Sequence, residues 1–152
     1  MKCILTEIRP TSQYQGKVYA QDAFLDMIEY RQLRVEDAKK LCDDALIGSA
    51  VEVQLKLDNI RELETDVEKT HTLVPKDGTP GLEKVRGKIV GVIEETEHKF
   101  VLEIDVGAGM VTGHLFKDVA SEFSPASGMW IELRRVLGLY LESVKELSNS
   151  DH

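Results

Sequence analysis

VRGKIVGVIEET (85–96), KFVLEIDVGAG (99–109), MVTGHLF (110–116), KDVASEF (117–123), GMWIELRRV (128–136) and LGLYLESVKEL (137–147) follow one another almost without a break. Their alternation decides the fold. In the first run Val85, Ile89 and Ile93 share a face with Gly87 and Gly91, and Arg86, Lys88, Val90 and Val92 take the other. In the second, Phe100, Leu102, Ile104 and Val106 oppose Lys99, Val101, Glu103 and Asp105. A period of two is the mark of a half-buried strand. Glycine inside such a strand marks a bend or a close backbone approach. Asp105–Gly109 reads as a turn and Met110–Phe116 as the returning strand. In Lys117–Phe123, Val119, Ala120 and Phe123 fall on one helical face. Met129–Val136 and Leu139–Leu147 read as two more strands, with Leu137-Gly138 at the turn.

Upstream, KCILTEI (2–8) reads as a strand ended by Pro10, and KVYA (17–20) as a brief one. Two helices are expected next. Gln21–Gln32 spaces Phe24, Met27, Ile28 and Arg31 helically. Arg34–Ile47 puts Val35, Ala38, Leu41, Cys42, Ala45 and Leu46 on one stripe, with Gly48 as terminator. Ala50–Asp58 alternates cleanly, Val51, Val53, Leu55 and Leu57 against Glu52, Gln54, Lys56 and Asp58. Residues 59–74 suit a helix and a continuing strand equally. Two prolines and two glycines in Pro75–Gly81 make a turn or linker. The expectation is therefore an α+β chain: a β-α-α-β segment over 1–74, a linker at 75–81, a small five-stranded barrel over 82–147, and a disordered tail at 148–152.

Three strands, a short helix and two strands, with a glycine-bearing first strand and an Asp-x-Gly turn, resemble the oligonucleotide/oligosaccharide-binding (OB) fold over residues 84–147. GKIVGVI, FVLEI and GHLF are also similar to RNA-binding barrels of the cold-shock kind. The resemblance implies a binding face across the second and third strands: Lys99, Glu103 and Asp105 with Thr112, His114 and Phe116. A face for single-stranded nucleic acid interleaves Lys or Arg with stacking aromatics. This one carries two carboxylates and puts Phe100 on the core side.

Charge argues the same way. The chain has 152 residues and a net charge of −8. Residues 1–81 hold 11 Lys and Arg against 15 Asp and Glu, and residues 82–147 hold 8 against 11. Affinity for nucleic acid comes largely from cations that neutralise phosphates, and neither half is basic. No apolar run approaches the roughly 20 residues of a membrane span, and MKCILTEIRP is a poor secretory signal. Cys3 and Cys42 lack both a disulfide framework and zinc spacing. They read as small buried apolar residues of a cytoplasmic protein.

The residues outline no catalytic, metal or cofactor site. Three functions are open, in this order. The first is a non-catalytic binding or assembly module for a protein partner or a second copy, with Trp130 as an interface anchor. The second is a single-strand nucleic-acid binder using Arg86, Lys88, Lys99, His114, Phe116 and Arg134. The third is a small enzyme including His114 and Asp105 as an acid/base pair.

Overall fold

Alternating apolar residues, rather than helical stripes, govern nearly the whole chain. The computed structural model describes residues 1–27 and 32–147. Nine strands form one mixed sheet. They are β1 (Lys2–Tyr14), β2 (Lys17–Asp26), β3 (Leu33–Asp37), β4 (Ala50–Glu64), β5 (Thr72–Pro75), β6 (Leu82–Glu95), β7 (Lys99–Asp105), β8 (Met110–Phe116) and β9 (Trp130–Glu146). The order is β1-β2-β3-β9-β4-β8-β7-β6-β5, with β1 also touching β4 and β9 also touching β6. The last pairing folds the sheet back on itself, so β6, β7, β8, β4 and β9 are neighbours in a closed circuit. Their inward residues, among them Val53, Leu55, Leu57, Ile89, Leu102, Ile104, Leu115, Ile131, Leu133 and Leu139, make one core.

The β-α-α-β segment is not found. Gln21–Asp26 belongs to β2 and Leu33–Asp37 is β3. Asp44–Leu46 is a single 3-10 turn, and no α-helix occurs among the described residues. The stripe through Arg34–Ile47 fails for a local reason. Asp37 is fully buried, and its carboxylate accepts the backbone N–H groups of Leu41 (2.8 Å) and Cys42 (2.9 Å) together with Gln21 Nε2 (2.9 Å). Those N–H groups are the ones a helix would donate to its own carbonyls, and a side chain that captures them competes directly with the helix. Lys40, at φ 54°, completes the break. Part of the expected helix Gln21–Gln32, residues 28–31, lies outside the described residues, as does the tail at 148–152.

The five-stranded barrel built from residues 82–147 alone is also corrected. That stretch supplies four strands, because Trp130–Glu146 runs through Leu137-Gly138 as one strand. Arg135, at φ 52°, kinks it. The strand pairs with β4 on one side from Glu132 to Glu146, and its first half pairs with β6 on the other. Gly138 lets the Tyr140 ring lie across the strand: a Cβ there would stand 2.8 Å from Tyr140 Cε2. Likewise a Cβ on Gly87 would run into the Asp105 carbonyl. This is the close approach expected of a strand glycine. The strand that completes the circuit, β4, comes from upstream of Pro75–Gly81 and pairs in parallel with β8. It extends the Ala50–Asp58 alternation to Glu64, the continuing strand being the outcome of the two open at residues 59–74. The expected helix at Lys117–Phe123 is a set of turns with Glu122 at φ 64°. Its apolar face nevertheless packs as read: Ala120 is buried and Phe123 meets Phe100 edge-on at 6.3 Å.

Pro10 does not end the first strand. It lies within β1 beside a register shift, on a stretch paired only with β2, where a missing N–H is tolerated. Beyond it β1 and β2 continue as a projecting hairpin.

Candidate binding surface

The cations picked out from the sequence separate into two groups with different chemistry. Arg86 on β6 and Arg134 on β9 close on Glu132, which is 1% exposed. Arg86 donates to Glu132 Oε1 from Nε (3.0 Å) and Nη2 (2.8 Å). Arg134 Nε donates to Oε2 at 2.6 Å, and its Nη2 stands 2.6 Å from the same oxygen. Thr70 and Glu68 take the remaining face of Arg86, and Glu64 pairs with Arg134 at 3.0 Å. Burial by itself would raise the Glu132 carboxyl. The hydrogen bonds and charges of the two guanidiniums override it and hold the group below its ordinary value. These arginines are committed to their own carboxylates.

Lys88 and Trp130 are register partners at the next position. The Trp130 ring leans on His71 at 4.9 Å, and His71 Nε2 stands 3.8 Å from Asp105.

Lys99, His114 and Phe116 form the second group, on β7 and β8. Lys99 pairs in register with Phe116, and its Nζ lies 3.2 Å from His114 Nδ1. Desolvation first, then the Lys99 charge, lower the His114 pKa from 6.5, which suits a neutral ring accepting from the ammonium. Phe116 is 43% exposed. The structure adds neighbours that the sequence did not single out. Register runs Glu36–Tyr140–Lys56–Thr112–Glu103 across β3, β9, β4, β8 and β7. Each of these side chains is half-buried, and the residues beside them on β4, β8 and β9 point into the core. Lys56 Nζ sits 5.1 Å from the Tyr140 ring centre and 3.6 Å from Glu142, which also meets Lys39 at 3.4 Å. Burial, then Glu36 and Asp58, raise the Tyr140 hydroxyl above 10.0. The same register continues through Asp22 to Arg9 on β2 and β1. There Arg9 and Arg34 lie over Phe24 at 4.8 and 5.1 Å, and Arg34 is held by Asp22 at 2.6 Å.

Lys56 and Tyr140 had a signal of their own. Lys56 is on the polar side of the cleanest alternation in the chain, and Tyr140 follows Gly138 at i+2. What was missing was the pairing that sets them beside His114.

The surface does not bring His114 and Asp105 together. His114 pairs with Val101, four residues along β7 from Asp105, a separation of about 13 Å at strand rise. Concave regions border the row: a groove of about 710 Å³ lies between Arg9, Phe24, Arg34 and Pro75–Gly78, and one of about 610 Å³ is lined by Thr112, Glu103, Glu52 and Lys145. Among the described residues no three His, Cys, Asp or Glu side chains are placed to hold a metal ion, and no helix is long and apolar enough to cross a membrane. No protein-family model matches the chain, and no curated protein matches it.

Proposed function

We propose that this chain is a non-catalytic binding module that takes a protein partner on the outer face centred on Lys56, Tyr140 and His114. The observation behind this reading is the continuous row from Arg9 to Glu103 over seven strands. Its middle, Glu36–Tyr140–Lys56–Thr112, spans three strand spacings, about 14 Å at 4.8 Å each, and the β7 end of the row curves away with the closed circuit, so a partner meets the middle of the row. Its composition suits a protein. Tyr140 interrupts the charges of the row, and the partly exposed Tyr140, His114 and Phe116 provide the amphipathic area that anchors interfaces. Five cations (Arg9, Arg34, Lys39, Lys56 and Lys99) meet five carboxylates (Asp22, Glu36, Asp58, Glu103 and Glu142), so the face is close to neutral. A polyanion needs a clear excess of cations. Free, buried Cys3 and Cys42 support a cytoplasmic setting.

The test is site-specific photocrosslinking with a benzophenone amino acid at Phe116 or Tyr140, with a matched probe at Lys145 as control, in the native cell. A discrete protein adduct from positions 116 and 140, absent at 145 and lost on Lys56→Glu, is expected. Fluorescence anisotropy with labelled single-stranded DNA and RNA provides the opposing outcome. Binding that weakens steeply with salt and disappears in Lys99→Ala would replace the protein partner by nucleic acid.

A further inference from the structure

One projecting hairpin and one free strand edge lie far apart in the strand order, and their chemistry is complementary. In the β1–β2 hairpin every residue from Arg9 to Lys17 is exposed. Tyr14 is 66% exposed, and Tyr19, with Lys17 Nζ 5.3 Å from its ring centre, is 50% exposed. Residues 8–21 contain Arg9 and Lys17 and no carboxylate, in a chain of net charge −8. In the β6–β7 hairpin, β9 accompanies β6 only as far as Lys88. The segment before β9 covers Ile89 and Val90, through Gly128 N–H to the Ile89 carbonyl (2.7 Å) and Ser127 Oγ to the Val90 carbonyl (2.8 Å). From Gly91 to Glu95 that edge of β6 has no strand beside it among the described residues. It exposes Val92 and Ile93. Residues 90–97 contain Glu94, Glu95 and Glu97 and no cation.

An isolated two-stranded hairpin is marginal in water, and a free edge is a template for another strand. We infer that the β1–β2 arm of one copy docks on the free β6 edge of a second copy. Charge selects this pairing over the alternatives. Two β6 edges would bring glutamates together, and two arms would bring cations together. Arm against edge sets Lys17 toward Glu94 and Glu97 and lays Tyr14 and Tyr19 on Val92 and Ile93. Register shifts on either side of Val92 twist the edge and discourage indiscriminate strand addition. The two surfaces differ, so the contact is heterologous and closes into a ring or grows into a chain of copies. Apart from Arg9, where the row across the strands begins, this surface is separate from the face around Lys56, and its test does not depend on that face.

Sedimentation velocity of the full chain tests this with two variants. Gln13→Glu with Lys17→Glu makes the arm acidic and keeps Arg9 in its ion pair with Glu7. Glu94→Lys with Glu97→Lys makes the edge basic and keeps the Glu95–Lys117 pair. The wild type should at least double in mass by a concentration on the order of 100 μM. The complex should dissociate in about 1 M salt, where charges are screened beyond about 3 Å. Each variant alone should be monomeric with an unchanged circular dichroism spectrum, and an equimolar mixture of the two should assemble. A monomeric wild type, variants that assemble as the wild type does, or a mixture that stays monomeric would each overturn the inference.

Discussion

Arg86 and Arg134 on β6 and β9, and Lys99 and His114 on β7 and β8, look alike in the sequence: cations on the polar side of alternating strands. In the fold, Arg86 and Arg134 share a carboxylate that has almost no contact with water, and they are spent on holding β6 to β9. Lys99 meets an imidazole and an exposed phenylalanine. The difference lies in the third member. Glu132 is on the same outward side as its arginines, and Glu64, Glu68 and Thr70 close over them. Among the described residues Lys99 closes on His114 and not on a carboxylate. The same residue type is therefore neutralised by its own chain in one place and left with its charge unpaired by a carboxylate in the other.

The largest effect that tests this contrast is Glu132→Ala. Removing the shared carboxylate leaves two guanidiniums facing each other, and breaking a buried pair costs about 3–5 kcal/mol. Because Arg134 is partly exposed, about 3 kcal/mol is expected, read from the urea midpoint. Lys99→Ala, with no buried carboxylate to orphan, should stay within roughly 0.5 kcal/mol. A similar loss in both would erase the distinction. A smaller effect separates the two regions by pH. The Glu132 pKa is lower in the folded chain than in the unfolded one. Its contribution is complete above the ordinary carboxyl value of 4.5 and is lost as pH falls through the folded value. His114 is also lowered, but as a base. The unfolded chain binds more protons just below 6.5, so stability falls as pH drops from 6.5 through the folded value. Urea midpoints across pH should show both slopes. Glu132→Gln should abolish the acid one, and His114→Gln the one near 6. Smallest is a titration shift. Lys99→Ala removes the second cause of the lowered His114 value, and the imidazole should titrate closer to 6.5 by NMR. An unchanged titration would mean that the ammonium does not face the ring.

Strand periodicity was legible where one face of a strand packs on the core along its length. Ala50–Asp58, Lys99–Asp105 and Met110–Phe116 all show the alternation read from their residues. It misled where side chains capture the backbone. The stripe from Val35 to Leu46 meets every spacing rule of a helix, yet Asp37 takes the Leu41 and Cys42 N–H groups. It misled also where one long strand serves two partners, since Leu137-Gly138 reads as a turn unless the neighbours of β9 are known. Of the proposed surface, Lys99, His114 and Phe116 were singled out from the sequence. Lys56 and Tyr140 were not, because register between strands far apart in sequence leaves no local trace.

The sequence by itself determined which residues face inward along β4, β7 and β8, the acidic balance, and the glycines that permit close approach at Gly87 and Gly138. These follow from side-chain periodicity and from the steric size of single residues. Only the tertiary structure decided that β4 stands between β8 and β9, that Glu132 neutralises Arg86 and Arg134, and that Tyr140 and Lys56 join His114 on one face. Each of these depends on which strands meet and in what register. That choice is set by the burial of the whole core at once, which no single segment encodes.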